Sequence, residues 1–203
     1  MLKLYYVPGT CALCPHIVLH EAGIRFALEK VNRDDKKTES GQDYNAINPK
    51  SYVPALVMNN GHLLTEVAVI VQYIADLAPD KKLAPLAGTL ERYRLQELLN
   101  FISSEIHKGF SPLFNPKLSE ETKTVFKERL AGRLNIAAKA LEDKDYLMGK
   151  TFTVADAYLY TVLRWSPRFG FDLAPWPAIK DYMERIAARP AVKAALAEEG
   201  LQA

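Results

Sequence analysis

The sequence predicts an α/β half of mixed strand order followed by an all-helical half. Three observations predict it. Up to Leu77, strand-like and helix-like stretches alternate and include a hairpin signal, Asn59-Asn60-Gly61. A polar stretch rich in proline and glycine, PDKKLAPLAG from Pro79 to Gly88, then separates this half from the rest. Beyond it, apolar residues recur at helical spacing. The expected organisation is therefore a domain of residues 1–78, a linker of residues 79–88 and a helical domain of residues 89–203.

The elements follow in order. Leu2 to Val7 is aromatic and aliphatic, as a buried strand is, and Pro8-Gly9 ends it. Ile17, Val18, Leu19 and Ala22 form the apolar run of a helix closed by Gly23; Pro15 sits early in it, where a missing N–H costs little. Phe26 to Val31 is short and partly alternating, so it reads as a second strand, parallel to the first through a right-handed crossover. Asn32 to Gly41 is a polar, lysine-rich surface loop, and Gln42 to Ile47 has room for one or two helical turns. Pro49 and Pro54 bracket Lys50 to Val53; Ala55 to Met58, the turn, and Leu63-Leu64 make a hairpin. Thr65 and Glu66 introduce a helix whose apolar face, Val67, Val69, Ile70, Val71, Tyr73 and Ile74, runs to Ala78, where Pro79 stops it. In the second half, helices are expected from Leu90 to His107 and from Ser119 to Leu141, the latter with Val125, Phe126, Leu130, Leu134 and Ile136. A third starts at Thr153, with Asp156 completing a capping box, and runs through Trp165 to Pro167. A fourth runs from near Pro177 to Arg189-Pro190, and a short one closes the chain from Ala191.

At 203 residues and 49% hydrophobic, the chain can bury one large core or two modest ones. Its 26 lysines and arginines against 24 acidic residues leave a net charge of +2 without long runs. That predicts no electrostatic footprint for nucleic acid or an anionic membrane. No stretch approaches the ~20 apolar residues of a spanning helix, and no basic region with an apolar signal core opens the sequence. The default address is cytoplasmic, where thiols stay reduced.

Both cysteines fall in YYVPGTCALCPHIVLH, the join between the first strand and the first helix. Cys11 lies at the helix N-terminus, where unpaired N–H groups and the helix dipole stabilise an anion and so favour the thiolate. Packing offers a blander account, since most intracellular cysteines are small buried hydrophobes. For Cys14, on the helix, that account weighs as much as a functional one; Cys11, in the loop, is better placed to be presented. A reduced Cys-x-x-Cys pair reads as redox-active or metal-binding before it reads as a staple. A zinc site from Cys11, Cys14, His16 and His20 is disfavoured, because zinc modules separate their ligand pairs by about a dozen residues. The sequence thus predicts no metal site.

The element order of the first half resembles the thioredoxin-like fold, with Pro54, after Val53, where that fold holds a cis-proline. Over essentially its whole length the chain resembles the bacterial beta-class glutathione transferases. The stretches that carry this include Leu4-Tyr5-Tyr6 through Cys11 to Pro15-His16-Ile17, Lys37 to Gly41, Ile47 to Lys50, Leu64-Thr65-Glu66 and Gln72 to Asp76. In the second half they include Glu91-Arg92-Tyr93, Leu99-Asn100-Phe101, Glu105 to Gly109, Ser111 to Phe114 and Phe152 to Tyr158. The Phe152 stretch is shared across transferase classes, whereas the Cys11 and Glu105–Lys108 stretches together are specific to the beta class.

The resemblance implies a thioredoxin-like domain binding glutathione as co-substrate, a helical domain supplying most of the second-substrate pocket, and a homodimer. Cys11 would be the reactive thiol, with His107 reaching it from the helical domain and Tyr6 the runner-up hydroxyl donor. Glu66 and the backbone of Val67 would hold the γ-glutamyl end of glutathione. Val53, before Pro54, would pair its backbone with the cysteinyl part. Lys36 and Lys108 would meet the glycyl carboxylate, Asn100 would lie nearby, and Glu105 would reach glutathione across the dimer interface. Phe110, Phe114 and Trp165 would wall the electrophile pocket. Two departures stand out: Val67 replaces a usual glycine or serine, and Cys14 replaces a small non-thiol residue. The implied activity is conjugation of glutathione to electrophiles with Cys11-dependent thiol exchange. The alternatives are a glutaredoxin-like oxidoreductase using Cys11 and Cys14, or a non-catalytic module of the same fold.

Overall fold

The computed structural model describes residues 1–202; Ala203, the last residue of the expected helical domain, lies outside them. The chain forms two compact units, one of residues 1–84 with 188–203 and one of residues 85–187.

The first unit is built on a sheet of four strands, β1 (Leu2–Tyr6), β2 (Phe26–Lys30), β3 (Ala55–Val57) and β4 (Leu63–Thr65), in the order β2-β1-β3-β4. β1 runs parallel to β2, with Leu4 opposite Leu28, and antiparallel to β3, with Leu4 opposite Leu56; β3 and β4 are the hairpin. Strand alternation gives β1 two apolar faces. Tyr5 faces a cluster with Val31, Tyr44 and Ala55, whereas the Tyr6 ring meets His16 on α1 (Leu13–Ala22). Gly23 ends α1 in the left-handed region, φ 65°, and the N–H groups of Gly23 and Ile24 reach back to His20 and Leu19, a cap that glycine adopts without a Cβ clash. A single turn, α2 (Tyr44–Ile47), is capped by Asp43, and α3 (Val67–Leu77) follows β4 directly.

The second unit is helical: α4 (Leu90–Phe101), a turn α5 (Lys108–Phe110), α6 (Glu120–Leu141), α7 (Val154–Leu163) and α8 (Pro177–Ala187). Thr89 and Ser119 cap α4 and α6 through their hydroxyls, and the Thr153–Asp156 capping box starts α7. The Asp156 carboxylate also takes the N–H of Leu147 and the hydroxyl of Tyr182, so the box ties together three segments of this unit.

Three expectations change. The helix read from Leu90 to His107 is α-helical only to Phe101; Ile102–His107 is a π turn, in which the N–H of Lys108 bonds the carbonyl of Ser103. The helix read through to Pro167 stops at Leu163, and Ser166–Phe169 is a 3₁₀ turn with Pro167 in its first positions. The last helix, α9 (Pro190–Glu198), packs on α1 in the first unit, although its position after the 79–88 linker assigns it to the helical half. Polar anchors explain that placement: Arg189 clamps the Glu21 carboxylate through two nitrogens at 2.6 and 2.9 Å, and both Glu198 and Glu199 reach His16 on α1. On α6, Leu130 and Leu134 are buried as expected, while Val125 and Ile136 lie outward.

Candidate active site

In the first unit the functional candidates sit where regular elements begin. Cys11 lies two residues before α1, in a turn closed by the bond from the Leu13 N–H to the Thr10 carbonyl. It is partly buried, and its Sγ lies 3.4 Å from the Val53 carbonyl, so the turn and the approach to β3 meet at the thiol. The Val53–Pro54 bond is cis. Tyr52, just before, has its carbonyl held by the Tyr44 hydroxyl and the Asn48 amide, both at 2.8 Å, which fixes the strand entry from inside the protein. Cys14, the second residue of α1, is fully buried; both cysteines are thiols. Burial pushes the Cys14 thiol well above the ordinary cysteine range, and the neighbouring Cys11 adds to the shift.

Tyr6 is buried in β1, and burial, followed by the negative charges of Glu199, Glu39 and Glu198, raises its phenol above the usual range. Lys36 occupies a left-handed backbone position, φ 57°, and its carbonyl accepts the N–H of Tyr44. Glu66 is the residue before α3, at φ 70°, a conformation that side chains other than glycine's rarely adopt. Its side chain does not cap the helix. Instead the carboxylate is exposed and takes Lys50 Nζ at 2.8 Å, while the same ammonium bonds the Thr65 hydroxyl at 3.0 Å. Val67 opens α3 with its side chain buried.

In the second unit the candidates share one helical run. Asn100 lies on α4 and is exposed; Glu105 and His107 are in the π turn and Lys108 begins α5. Glu105 is engaged by Arg133 on α6, with Arg129 further off at 4.0 Å. The Nδ1 of His107 and the buried Tyr158 hydroxyl are 2.8 Å apart, and the imidazole lies edge-on to Trp165, centroids 5.1 Å apart. Phe114 also meets Trp165, at 5.4 Å, and carries the Arg168 guanidinium over its ring; Phe110 is fully buried.

Comparison with known proteins places this geometry. The model of the glutathione S-transferase N-terminal domain matches residues 1–76, and that of the C-terminal domain matches residues 101–190. The chain is 45% identical over 201 residues to the glutathione S-transferase GstA of Escherichia coli O157:H7, an overlap of 99% of this chain and 100% of that protein. The chain belongs to the glutathione S-transferases. Two solved structures, a sphingomonad glutathione S-transferase complexed with glutathione and the bacterial beta-class glutathione S-transferase of Sphingomonas chungbukensis, are each 46% identical to it. Each superposes with a TM-score of 0.95 over 98% of this chain and 100% of the other.

Within this glutathione S-transferase, the structure brings Cys11 to Val53 and Glu66 to Val67 in the first unit, and Asn100, Glu105, His107 and Lys108 into one run in the second. Sequence reasoning missed Lys50 and Tyr158 as partners of Glu66 and His107. Both stand inside the stretches that carried the family resemblance, so the signal was present, but it attached to no role. It also missed Tyr44 and Asn48, whose grip on the Tyr52 carbonyl depends on contacts four and eight residues apart in a loop.

Proposed function

We propose that this glutathione S-transferase conjugates glutathione to small electrophiles through a mechanism that depends on Cys11, with thiol exchange at the same residue. The placement of the two cysteines carries this reading: Cys11 is partly buried in the turn before α1 beside Val53, whereas Cys14 is fully buried with its thiol pushed up. One reactive thiol and one inert one favour a transferase over a glutaredoxin-like dithiol cycle. Glu66 would take the γ-glutamyl ammonium, the N–H of Val67 its carboxylate, the Val53 backbone the cysteinyl unit, and Lys36 and Lys108 the glycyl carboxylate. His107, held at Nδ1 by Tyr158, would present Nε2, and Phe114 and Trp165 would wall the electrophile pocket. Tyr6, buried with a raised phenol pKa, suits the core better than thiolate stabilisation.

Residues 1–78 would thus form the glutathione-binding part, and the helical unit the pocket for the second substrate. Exposed Val69 and Leu77 in the first unit, and Leu90 and Tyr93 in the second, supply apolar surface for a homodimer. Glu105, engaged by Arg133, would have to give up that partner to reach glutathione across a dimer interface. A cytoplasmic address suits a protein whose proposed chemistry needs reduced thiols, and no helix among the described residues is long and apolar enough to cross a membrane. The deciding experiment is incubation with oxidised glutathione followed by peptide mass spectrometry, alongside a conjugation assay with an aryl halide. The expected result is a mixed disulfide on Cys11 and measurable conjugation. Conjugation that continues unchanged in Cys11→Ser would overturn the thiol mechanism.

A further inference from the structure

His16 and His20 stand four residues apart on α1 and so share one helix face. Glu198, at the end of α9, faces both: its Oε2 lies 2.7 Å from His16 Nε2 and 3.2 Å from His20 Nε2. The three ligand atoms lie within 4.8 Å of one another. We propose that His16, His20 and Glu198 form a binding site for a first-row transition-metal dication, with Zn²⁺ the best fit, that clips α9 to α1.

Four features support it. Two imidazoles and one carboxylate are a borderline set that suits zinc, nickel or copper rather than magnesium or calcium. Tetrahedral coordination at zinc distances puts ligand atoms about 3.3 Å apart. The His20–Glu198 pair already has that spacing, and the His16–Glu198 pair needs to open by about half an ångström to reach it. The outer shell is in place: His16 Nδ1 lies 3.0 Å from Glu199 Oε1, and Glu199 Oε2 accepts the Gly9 N–H at 2.8 Å. A carboxylate on the second nitrogen of a ligating histidine fixes the ring's tautomer and orientation, and here that carboxylate is itself anchored. Finally, His16 is buried, while His20 and Glu198 border an open cleft of about 540 Å³ lined also by Leu19, Gly23 and Phe26, which provides an entry path and a fourth position for water.

Binding is an exchange. The hydrogens that His16 Nε2 and His20 Nε2 share with Glu198 Oε2 are both displaced by the cation: each ring ligates as the neutral imidazole with its one hydrogen on Nδ1, the surplus leaves to solvent as protons, and no oxidation occurs. Neither cysteine takes part, so this is a different ligand set from the Cys11, Cys14, His16 and His20 group weighed on sequence grounds. The metal takes no part in glutathione transfer. The consequence is mechanical: the cation joins the helix that follows the Cys11 turn to the C-terminal helix.

The test uses the full chain without a histidine tag, stripped with a chelator and titrated calorimetrically with ZnCl₂. The expected result is one Zn²⁺ per chain, an enthalpy that varies with buffer because a proton is released, and a higher melting temperature with metal. His20→Ala, on a partly exposed side chain, and Glu198→Gln should each remove the saturable binding and the thermal shift. Glu199→Gln should weaken binding by about 10–100-fold. A Cys11→Ser/Cys14→Ala variant should bind Zn²⁺ as the parent does, and its Co²⁺ form should match the parent's absorption, without a thiolate charge-transfer band. Absence of binding in the folded parent, binding that survives His20→Ala undiminished, or binding lost with the cysteines would each overturn the proposal.

Discussion

The two units present their functional candidates in opposite ways. In the first, Cys11, Val53 and Glu66 each precede a regular element, and their backbone is held from behind: the Gly9 N–H by Glu199, the Tyr52 carbonyl by Tyr44 and Asn48. In the second, Glu105, His107 and Lys108 ride on a continuous helical run, and the Glu105 and His107 side chains are set by neighbouring helices through Arg133 and Tyr158. Backbone-made sites tolerate side-chain change, and this suits the buried valine at position 67, of which the proposed site asks only an N–H. Side-chain-made sites depend on their partners.

The comparison breaks most visibly at Cys11, where the proposed chemistry requires a side chain of the first unit. Cys11→Ser should abolish the mixed disulfide with oxidised glutathione and leave the fold intact, as mass spectrometry and circular dichroism would record. In the parent, alkylation should modify Cys11 long before Cys14, whose thiol is fully buried and raised. Cys14→Ser should not prolong the adduct on Cys11. A longer-lived adduct in that variant would show that α1 opens enough for Cys14 to resolve it.

Glu66 gives the next largest effect. Since its side chain does not cap α3, Glu66→Ala should leave stability nearly unchanged while weakening glutathione binding by about 2–5 kcal/mol, the cost of removing one partner of a desolvated ion pair. Lys50 holds the same carboxylate through an exposed pair, so Lys50→Met should strengthen glutathione binding by no more than about 1 kcal/mol. Calorimetry with both variants separates competition by Lys50 from cooperation: weaker binding in Lys50→Met would make the lysine part of the glutathione site.

How much was legible in the sequence follows the same division. Element boundaries in the first unit are announced by Pro8-Gly9, Gly23, Pro54 and Asn59-Asn60-Gly61, because proline and glycine impose local backbone geometry whatever the surroundings. The π turn at Ile102–His107 has no such marker. It inserts one residue into a helical run whose composition is ordinary, and the packing partners that accommodate it, α6 and α7, lie far along the chain. Nor does periodicity say which helix a helix will meet. The placement of α9 depends on long-range polar pairs, Arg189 with Glu21 and Glu199 with Gly9 and His16, that span most of the sequence. Lys50, Tyr158, Tyr44 and Asn48 escaped for the same reason, since their roles are defined by a partner rather than by a pattern.

In the helical unit, Tyr158 tests whether side-chain support matters. Tyr158→Phe keeps the buried ring and removes only the hydroxyl 2.8 Å from His107 Nδ1. Stability should fall by about 0.5–1.5 kcal/mol in urea unfolding, the net value of one hydrogen bond. Turnover in the conjugation assay should fall while KM for glutathione stays unchanged, because the imidazole loses its orientation and the first unit is untouched. An unchanged turnover would reduce His107 to a structural residue.

The smallest effect concerns the anchor behind the Cys11 turn. Burial opposes ionisation of Glu198, but hydrogen bonds from His16 and His20, together with the charge of the two rings, more than offset it and hold the carboxyl below the usual glutamate range. A carboxylate whose folded value is depressed stabilises the fold above its unfolded value, about 4.3, and loses that contribution as pH falls through the depressed value. In chelator-treated protein, the melting temperature of Glu198→Gln should therefore lie below that of the parent near neutral pH, and the two should converge on acidification below about pH 4. The difference should be modest, since Glu198 is nearly half exposed and solvent screens the interaction. Parallel curves for the parent and Glu198→Gln would mean that α9 is held by Arg189 and apolar packing alone, and that the first unit's turn owes nothing to this carboxylate.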